Sequence, residues 1–222
     1  MDFESVSDFE IRNSVFQKMY FLITAGGTRE YIDPVRFISN ASSGEMGYAL
    51  ADAALKAGHR ATLISASDLQ PPVGIDFVGV DSAAEMFAAV KKFFAKCDCL
   101  IMAAAVADYT PIRPAKTKIR RKHEPLTIKL KPTSDILKWA GKHKKKNQIV
   151  VGFALEDKNL RANAEKKLKE KNFDIVIANT PASIGADKST VQIKTSGSPW
   201  IKIENATKIS TAKRILRLIQ NL

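Results

Sequence analysis

Cysteine is scarce in this chain: two in 222 residues, Cys97 and Cys99. That excludes a disulfide scaffold. The three histidines, His59, His123 and His143, are scattered, so no His/Cys set at metal-ligand spacing exists. The C-x-C spacing would point both thiols the same way on a strand, and buried, reduced thiols are expected, which fits a cytoplasmic protein. Long apolar runs are missing too. None approaches the roughly 18 to 20 residues that cross a bilayer, so no membrane partner is expected. The N-terminal MDFESVSDFEIRNS is acidic, with no basic stretch ahead of an apolar run, which argues against a secretory signal. Internal repeats and low-complexity linkers are also absent.

What is present describes one medium α/β domain. Short apolar runs at 20–24, 61–65, 75–80, 98–103, 148–153 and 174–178 read as strands apolar on both faces. Helical patterns at 45–57, 83–95, 134–144 and 159–171 lie between them, which predicts a doubly wound, Rossmann-like, mainly parallel sheet. TVQIK (190–194) and PWIKI (199–203) flank Thr-Ser-Gly-Ser and predict an antiparallel edge hairpin, followed by a helix at 207–220. Residues 1–19 are expected to form an N-terminal extension to a domain of 20–222. Two segments break the alternation, Thr28 to Ser42 and Asp108 to Lys131, and both leave carboxyl ends of strands, where open α/β sheets bind ligands.

The net charge of +12 is concentrated in one place. Between Arg113 and Lys146 there are thirteen Lys or Arg and two acids, Glu124 and Asp135. A protruding basic flap at about 108–132 would suit either nucleic acid or a highly anionic small ligand. No aromatic residue interleaves the cations between Tyr109 and Trp139, which disfavours nucleic acid. A solvated surface is the plain reading of Lys142 to Lys146.

Three stretches carry candidate chemistry. In TAGGT, Gly26 and Gly27 permit either a phosphate-cradling turn or an ordinary one; the G-x-G-x-x-G of a dinucleotide site is absent. In SNASSGEMG, Ser42 or Ser43 can cap a helix whose first turn holds Gly44 and Gly47. Bare N–H groups there suit an anion, while close helix–strand packing is the competing explanation. Just upstream, the Asn40 amide can donate to a carbonyl or oxyanion, and Arg36 can pair with Asp33 or a ligand. AAAVADY ends a strand in small residues around Ala105, with Asp108 at the strand mouth able to hold Mg2+, bond a sugar hydroxyl or cap a turn. Lys167 and Lys171, at i and i+4, read from spacing alone as a solvated helix face. A NAD(P)-binding reductase would also show an acid after the second strand, where this chain has Ser65-Ala66-Ser67.

LITAGGTREYIDPVRFISNASSGEMGYALADAA, AAAVADY, KIRR, VVGFALE and DIVIAN together resemble, in order and spacing, the phosphopantothenoylcysteine synthetase (phosphopantothenate–cysteine ligase) family, the second domain of the bifunctional bacterial coenzyme A biosynthesis protein. The likeness runs from about Tyr20 to Leu218. It implies that CTP and Mg2+ convert the carboxylate of 4′-phosphopantothenate into an acyl-cytidylate with release of pyrophosphate, after which the amine of L-cysteine forms the amide. It further implies catalytic roles for Asn40, Lys118 and Arg36, with Lys118 in a flap that closes on the nucleotide. Nucleotide-binding positions would be Gly26, Gly27, Ser43, Gly44, Ala105, Asp108, Lys118, the backbone of Thr133, Ser134, Asp135 and Ile136, and Phe153, Lys167 and Lys171. A homodimer with shared sites is implied. The flap reads K-I-R-R where the family usually has K-x-K-K, and PTSDIL stands where N-P-D-I-L is usual. Residues 1–19 are too short for a flavin-binding decarboxylase, so the expectation is a ligase without flavin and a decarboxylase on a separate protein.

Overall fold

The structure, a computed structural model, describes residues 18–121 and 123–222, so most of the expected N-terminal extension lies outside the described residues. At the centre is β1 (Tyr20–Ala25), buried along its whole length. It pairs in parallel with β4 (Arg60–Ser65) on one side and β6 (Cys99–Met102) on the other. Parallel pairing continues outward to β5 (Asp76–Gly79) past β4, and to β9 (Ile149–Leu155) and β10 (Ile175–Asn179) past β6. β11 (Lys188–Thr195) and β12 (Ile201–Thr207) then add antiparallel at the β10 edge, as the Thr-Ser-Gly-Ser turn predicts. Counted among themselves, the six parallel strands run 3-2-1-4-5-6, and the order reverses between β1 and β6. Ligand crevices of open α/β sheets lie at that reversal.

Alternation along the strands builds two cores. Phe21, Ile23 and Ala25 face α1 (Glu45–Lys56) and α5 (Lys208–Gln220), whereas Tyr20 and Leu22 face α2 (Ala83–Phe94), α3 (Ile136–His143) and α4 (Leu160–Glu170). Each fully buried Leu, Ile or Phe is worth roughly 1.5–3 kcal/mol, against about 1 for a helix cap, so the apolar strands set the fold and the caps trim its ends. Ser82 and Glu85 form a capping box on α2, the S-x-x-E signature written as Ser-Ala-Ala-Glu in the sequence.

Some local expectations change. Cys97 lies in the turn before β6, so the two thiols do not point the same way: Cys99 joins the α1/α5 core and Cys97 the opposite one. The segment 28–42 holds a small hairpin, β2 (Arg29–Tyr31) against β3 (Phe37–Ser39). The basic segment finds its partner in itself, with β7 (Tyr109–Pro111) antiparallel to β8 (Leu130–Pro132) at the base of the flap. No serine caps α1. Its N-cap is Gly44, at φ 86° and with no side-chain capping bond. Gly47 serves packing, since a Cβ there would lie 2.5 Å from the Ala25 Cβ.

Candidate functional site

Beyond the carboxyl ends of β1 and β6 the two chains stay joined. Gly27 and Ala105 form an isolated parallel bridge; the Ala105 N–H donates to the Gly26 carbonyl at 2.9 Å, and the Thr28 N–H to the Ala105 carbonyl at 3.3 Å. The Ala107 N–H donates to Thr28 Oγ1 at 2.8 Å. A Cβ on Gly27 would meet the Asn40 carbonyl oxygen at 2.5 Å, so only glycine lets the 40s loop cross here. Asn40 itself donates Nδ2 to the carbonyls of Ala105 (3.3 Å) and Val106 (3.2 Å). Gly44 packs alongside: a Cβ would fall 2.8 Å from the Ser67 Cβ and 3.1 Å from the Gly26 nitrogen. The Ser67 hydroxyl donates to the Ser43 carbonyl at 2.7 Å, and Ser43 is itself exposed. Gly26, Gly27, Asn40, Ser43, Gly44 and Ala105 therefore form one cluster at the sheet reversal.

A second cluster shares the exit of β6. The Thr133 N–H donates to the Asp108 carbonyl at 2.9 Å, and its hydroxyl to the Ala107 carbonyl at 2.6 Å. Asp135 caps α3 by accepting the Lys138 N–H at 2.9 Å and pairs with Lys171 at 2.9 Å. Lys167, one turn back on α4, lies 2.6 Å from Glu156. Phe153 is half-buried on β9, Asp108 and Ser134 are exposed, and the Ile136 side chain belongs to the core, leaving only its backbone to a ligand. Lys167 and Lys171 thus reach back to the sheet ends rather than lying on a free helix face.

Arg36 and Lys118 belong to the flap and its neighbour. Of the two partners open to Arg36, Asp33 holds it, at 2.8 Å, and its second guanidinium nitrogen donates to the Ile119 carbonyl at 3.1 Å. Lys118 is exposed. The flap folds over a cavity of about 450 Å3 lined in part by Ile32, Ile112, Ile119 and Leu126.

Sequence reading misses one residue here and reads another only in part. Glu156 is almost buried, and its second oxygen accepts from Asn163 Nδ2 at 3.0 Å. Asp33 was recognised only as a partner for Arg36. The Asp-Pro turn signal was visible at Asp33, but Glu156 meets Lys167 from another element, and no spacing rule links them.

The chain matches the family described as the DNA/pantothenate metabolism flavoprotein C-terminal domain over residues 16–222. Among curated relatives, the coenzyme A biosynthesis bifunctional protein CoaBC of Bacillus subtilis is 47% identical over 180 residues, covering 78% of this chain and 44% of that protein. A protein named cysteine/cysteine sulfinic acid decarboxylase, from an unknown prokaryotic organism, is 45% identical over 206 residues, covering 90% and 57%. This chain spans about half the length of these relatives. Among solved structures, the C-terminal domain of CoaBC aligns with a TM-score of 0.81 and 38% identity, over 93% of this chain and 96% of that one. By sequence and by fold, the chain belongs to the family of DNA/pantothenate metabolism flavoprotein C-terminal domains.

Proposed function

We propose that this domain is a phosphopantothenate–cysteine ligase of coenzyme A biosynthesis. The observation that carries the reading is the alignment, nearly end to end, with the C-terminal domain of CoaBC. The finer chemistry proposed is the one that the family resemblance implies. A carboxylate oxygen of 4′-phosphopantothenate attacks the α-phosphorus of CTP; the bond to the β-phosphate breaks and pyrophosphate leaves. The amine of L-cysteine then attacks the acyl carbon, loses a proton, and expels the nucleoside monophosphate. Both steps gather anions, so the protein's task is positioning and charge neutralisation.

Lys118 on the basic flap covers the leaving pyrophosphate, and Lys167 and Lys171, prepositioned by Glu156 and Asp135, hold nucleotide phosphates. Phe153 and the Thr133–Ile136 turn line the same strand ends. Asn40 exchanges one of its two carbonyl partners for the acyl oxygen. Among the described residues, no three His, Cys, Asp or Glu side chains gather as a metal site. Mg2+ would be carried by the nucleotide's phosphates, with the exposed carboxylate of Asp108 at the exit of β6 able to support it. Bound there, Mg2+ would supply charge neutralisation of the phosphates. No flavin is assigned to this domain, which its visible absorption as purified protein would check.

The working form is proposed to be a homodimer whose sites are completed across the interface. Exposed Val35, Phe37, Tyr109, Ile112 and Leu126 on the two small hairpins and the flap suit that contact. No described helix is long and apolar enough to cross a membrane, and a cytoplasmic location remains part of the proposal. The test is pyrophosphate release from 4′-phosphopantothenate with CTP and ATP side by side, with and without cysteine. Release with CTP in the absence of cysteine supports the acyl-cytidylate; no release with either nucleotide would overturn the reading.

A further inference from the structure

One buried carboxylate plays no part in the reaction above. The Asp33 side chain has no solvent exposure. Its Oδ1 accepts the N–H groups of Val35 (2.8 Å) and Arg36 (2.9 Å), closing its own turn. Its Oδ2 accepts Arg36 Nη1 at 2.8 Å and the Ile119 N–H at 3.1 Å. Since Arg36 Nη2 donates to the Ile119 carbonyl, both backbone polar groups of Ile119 are held by a single ion pair from the β2–β3 turn, 86 residues earlier in the sequence. A nearby bond, from the Ala115 N–H to the Ile32 carbonyl at 2.8 Å, ties the same two segments.

Closing a turn needs only the Oδ1 bonds, which an asparagine or serine oxygen could supply. Burying a full charge is expensive unless it is paired and hydrogen-bonded. Burial opposes ionisation of Asp33, but the N–H groups of Val35, Ile119 and Arg36, with the Arg36 guanidinium, outweigh it and hold the carboxyl below its usual range. The charge is therefore spent on grasping Ile119, the residue after Lys118.

We infer that Asp33 is a positioning residue for Lys118: together with Arg36 it clamps the Ile119 backbone and so fixes where the flap lysine stands. This rests on the reading that Lys118 neutralises the nucleotide's phosphates. It also gives Arg36 a task away from the substrate.

The experiment compares the unaltered protein with Asp33→Asn, Lys118→Ala and the double variant, by single-turnover pyrophosphate release at saturating nucleotide. Amide hydrogen exchange at Ile119 is followed in parallel. Misplacing a catalytic group by about 1 Å slows a reaction by up to roughly 100-fold, so Asp33→Asn is expected to slow release about 10- to 100-fold. Ile119 should lose its protection while core amides keep theirs, and adding Asp33→Asn to Lys118→Ala should slow release no further. Asp33→Ser, which keeps a turn-closing oxygen but cannot reach Ile119, should behave like Asp33→Asn. Wild-type speed in Asp33→Asn beside a slow Lys118→Ala overturns the positioning role alone, as does equal slowing by Asp33→Asn in both backgrounds. Wild-type speed in Lys118→Ala overturns the role of that lysine and this inference with it. An Ile119 amide that exchanges as fast as its neighbours in the unaltered protein overturns the clamp without any substitution.

Discussion

Asn40 and Gly47 sit seven positions apart in one motif and do different kinds of work. Asn40 spends both amide hydrogens on the carbonyls of Ala105 and Val106. Asn40→Asp can donate to neither these nor an acyl oxygen. In that variant the acyl-nucleotide is expected to form, accumulate and convert slowly, which quenched-flow product analysis would detect; turnover at the normal rate with no accumulation would count against the role. Gly47→Ala forces a methyl into space 2.5 Å from the Ala25 Cβ. Overpacking of this kind costs about 1–3 kcal/mol. At about 2–4 °C per kcal/mol for a chain of this size, a clear drop in melting temperature is expected by calorimetry. A one-dimensional reading could identify Asn40 as a donor, but not its acceptors, which lie 65 and 66 residues away. Nor could it choose between packing and anion binding for Gly47, because both ask for a missing side chain. Glu156 is illegible for another reason: it meets Lys167 from outside α4, a contact that no helical spacing predicts.

Among the helices, α4 and its C-cap carry Lys167 and Lys171 to carboxylates on different neighbours, Glu156 just after β9 and Asp135 at the start of α3. The geometry depends on how closely α3 approaches the C-terminal end of α4. Gly141 permits that approach, since a Cβ there would fall 1.9 Å from the Lys171 carbonyl oxygen. Gly141→Ala is therefore expected to push the two elements apart, lowering stability by about 1–3 kcal/mol and raising the nucleotide KM through Lys171. Unchanged KM and melting temperature would contradict both halves of that argument.

At the other end of the sheet, His59 accepts the Met19 N–H through Nδ1 at 3.2 Å and meets Gln220 through Nε2. Burial depresses its pKa below the usual 6.5. The unfolded chain then takes up the proton first, so stability rises with pH through the window that ends near 6.5, and falls below it. Urea midpoints at about pH 7.5 and about 5.5 should show that loss, and His59→Gln should flatten it.

For the whole molecule, the two-faced strands made the parallel sheet legible, because only a sheet covered on both sides tolerates such runs. The five described helices could be read to within a residue or two of their ends, and the edge hairpin in its place and pairing, although its second strand runs four residues past the expected 203. The small hairpins β2–β3 and β7–β8 could not, as three-residue strands are too short to show a period. Charge acts at the same scale. With thirteen cations between Arg113 and Lys146, the nucleotide KM is expected to climb with ionic strength, since the screening length shrinks from about 10 Å at 0.1 M to about 3 Å at 1 M. A KM indifferent to salt would mean that the basic segment does not face the ligand.

The placement of the two thiols offers a way to watch the molecule come apart. Burial pushes Cys97 up to about 11 and Cys99 well above its ordinary value, so both are silent to alkylation in the native protein. One belongs to the layer under α2, α3 and α4, the other to the layer under α1 and α5. Each cysteine is thus a built-in timer for its own side of the sheet. Under mild denaturant, the order in which the two become labelled tells which layer of helices lifts first, and simultaneous labelling reports that the sheet lets go of both together.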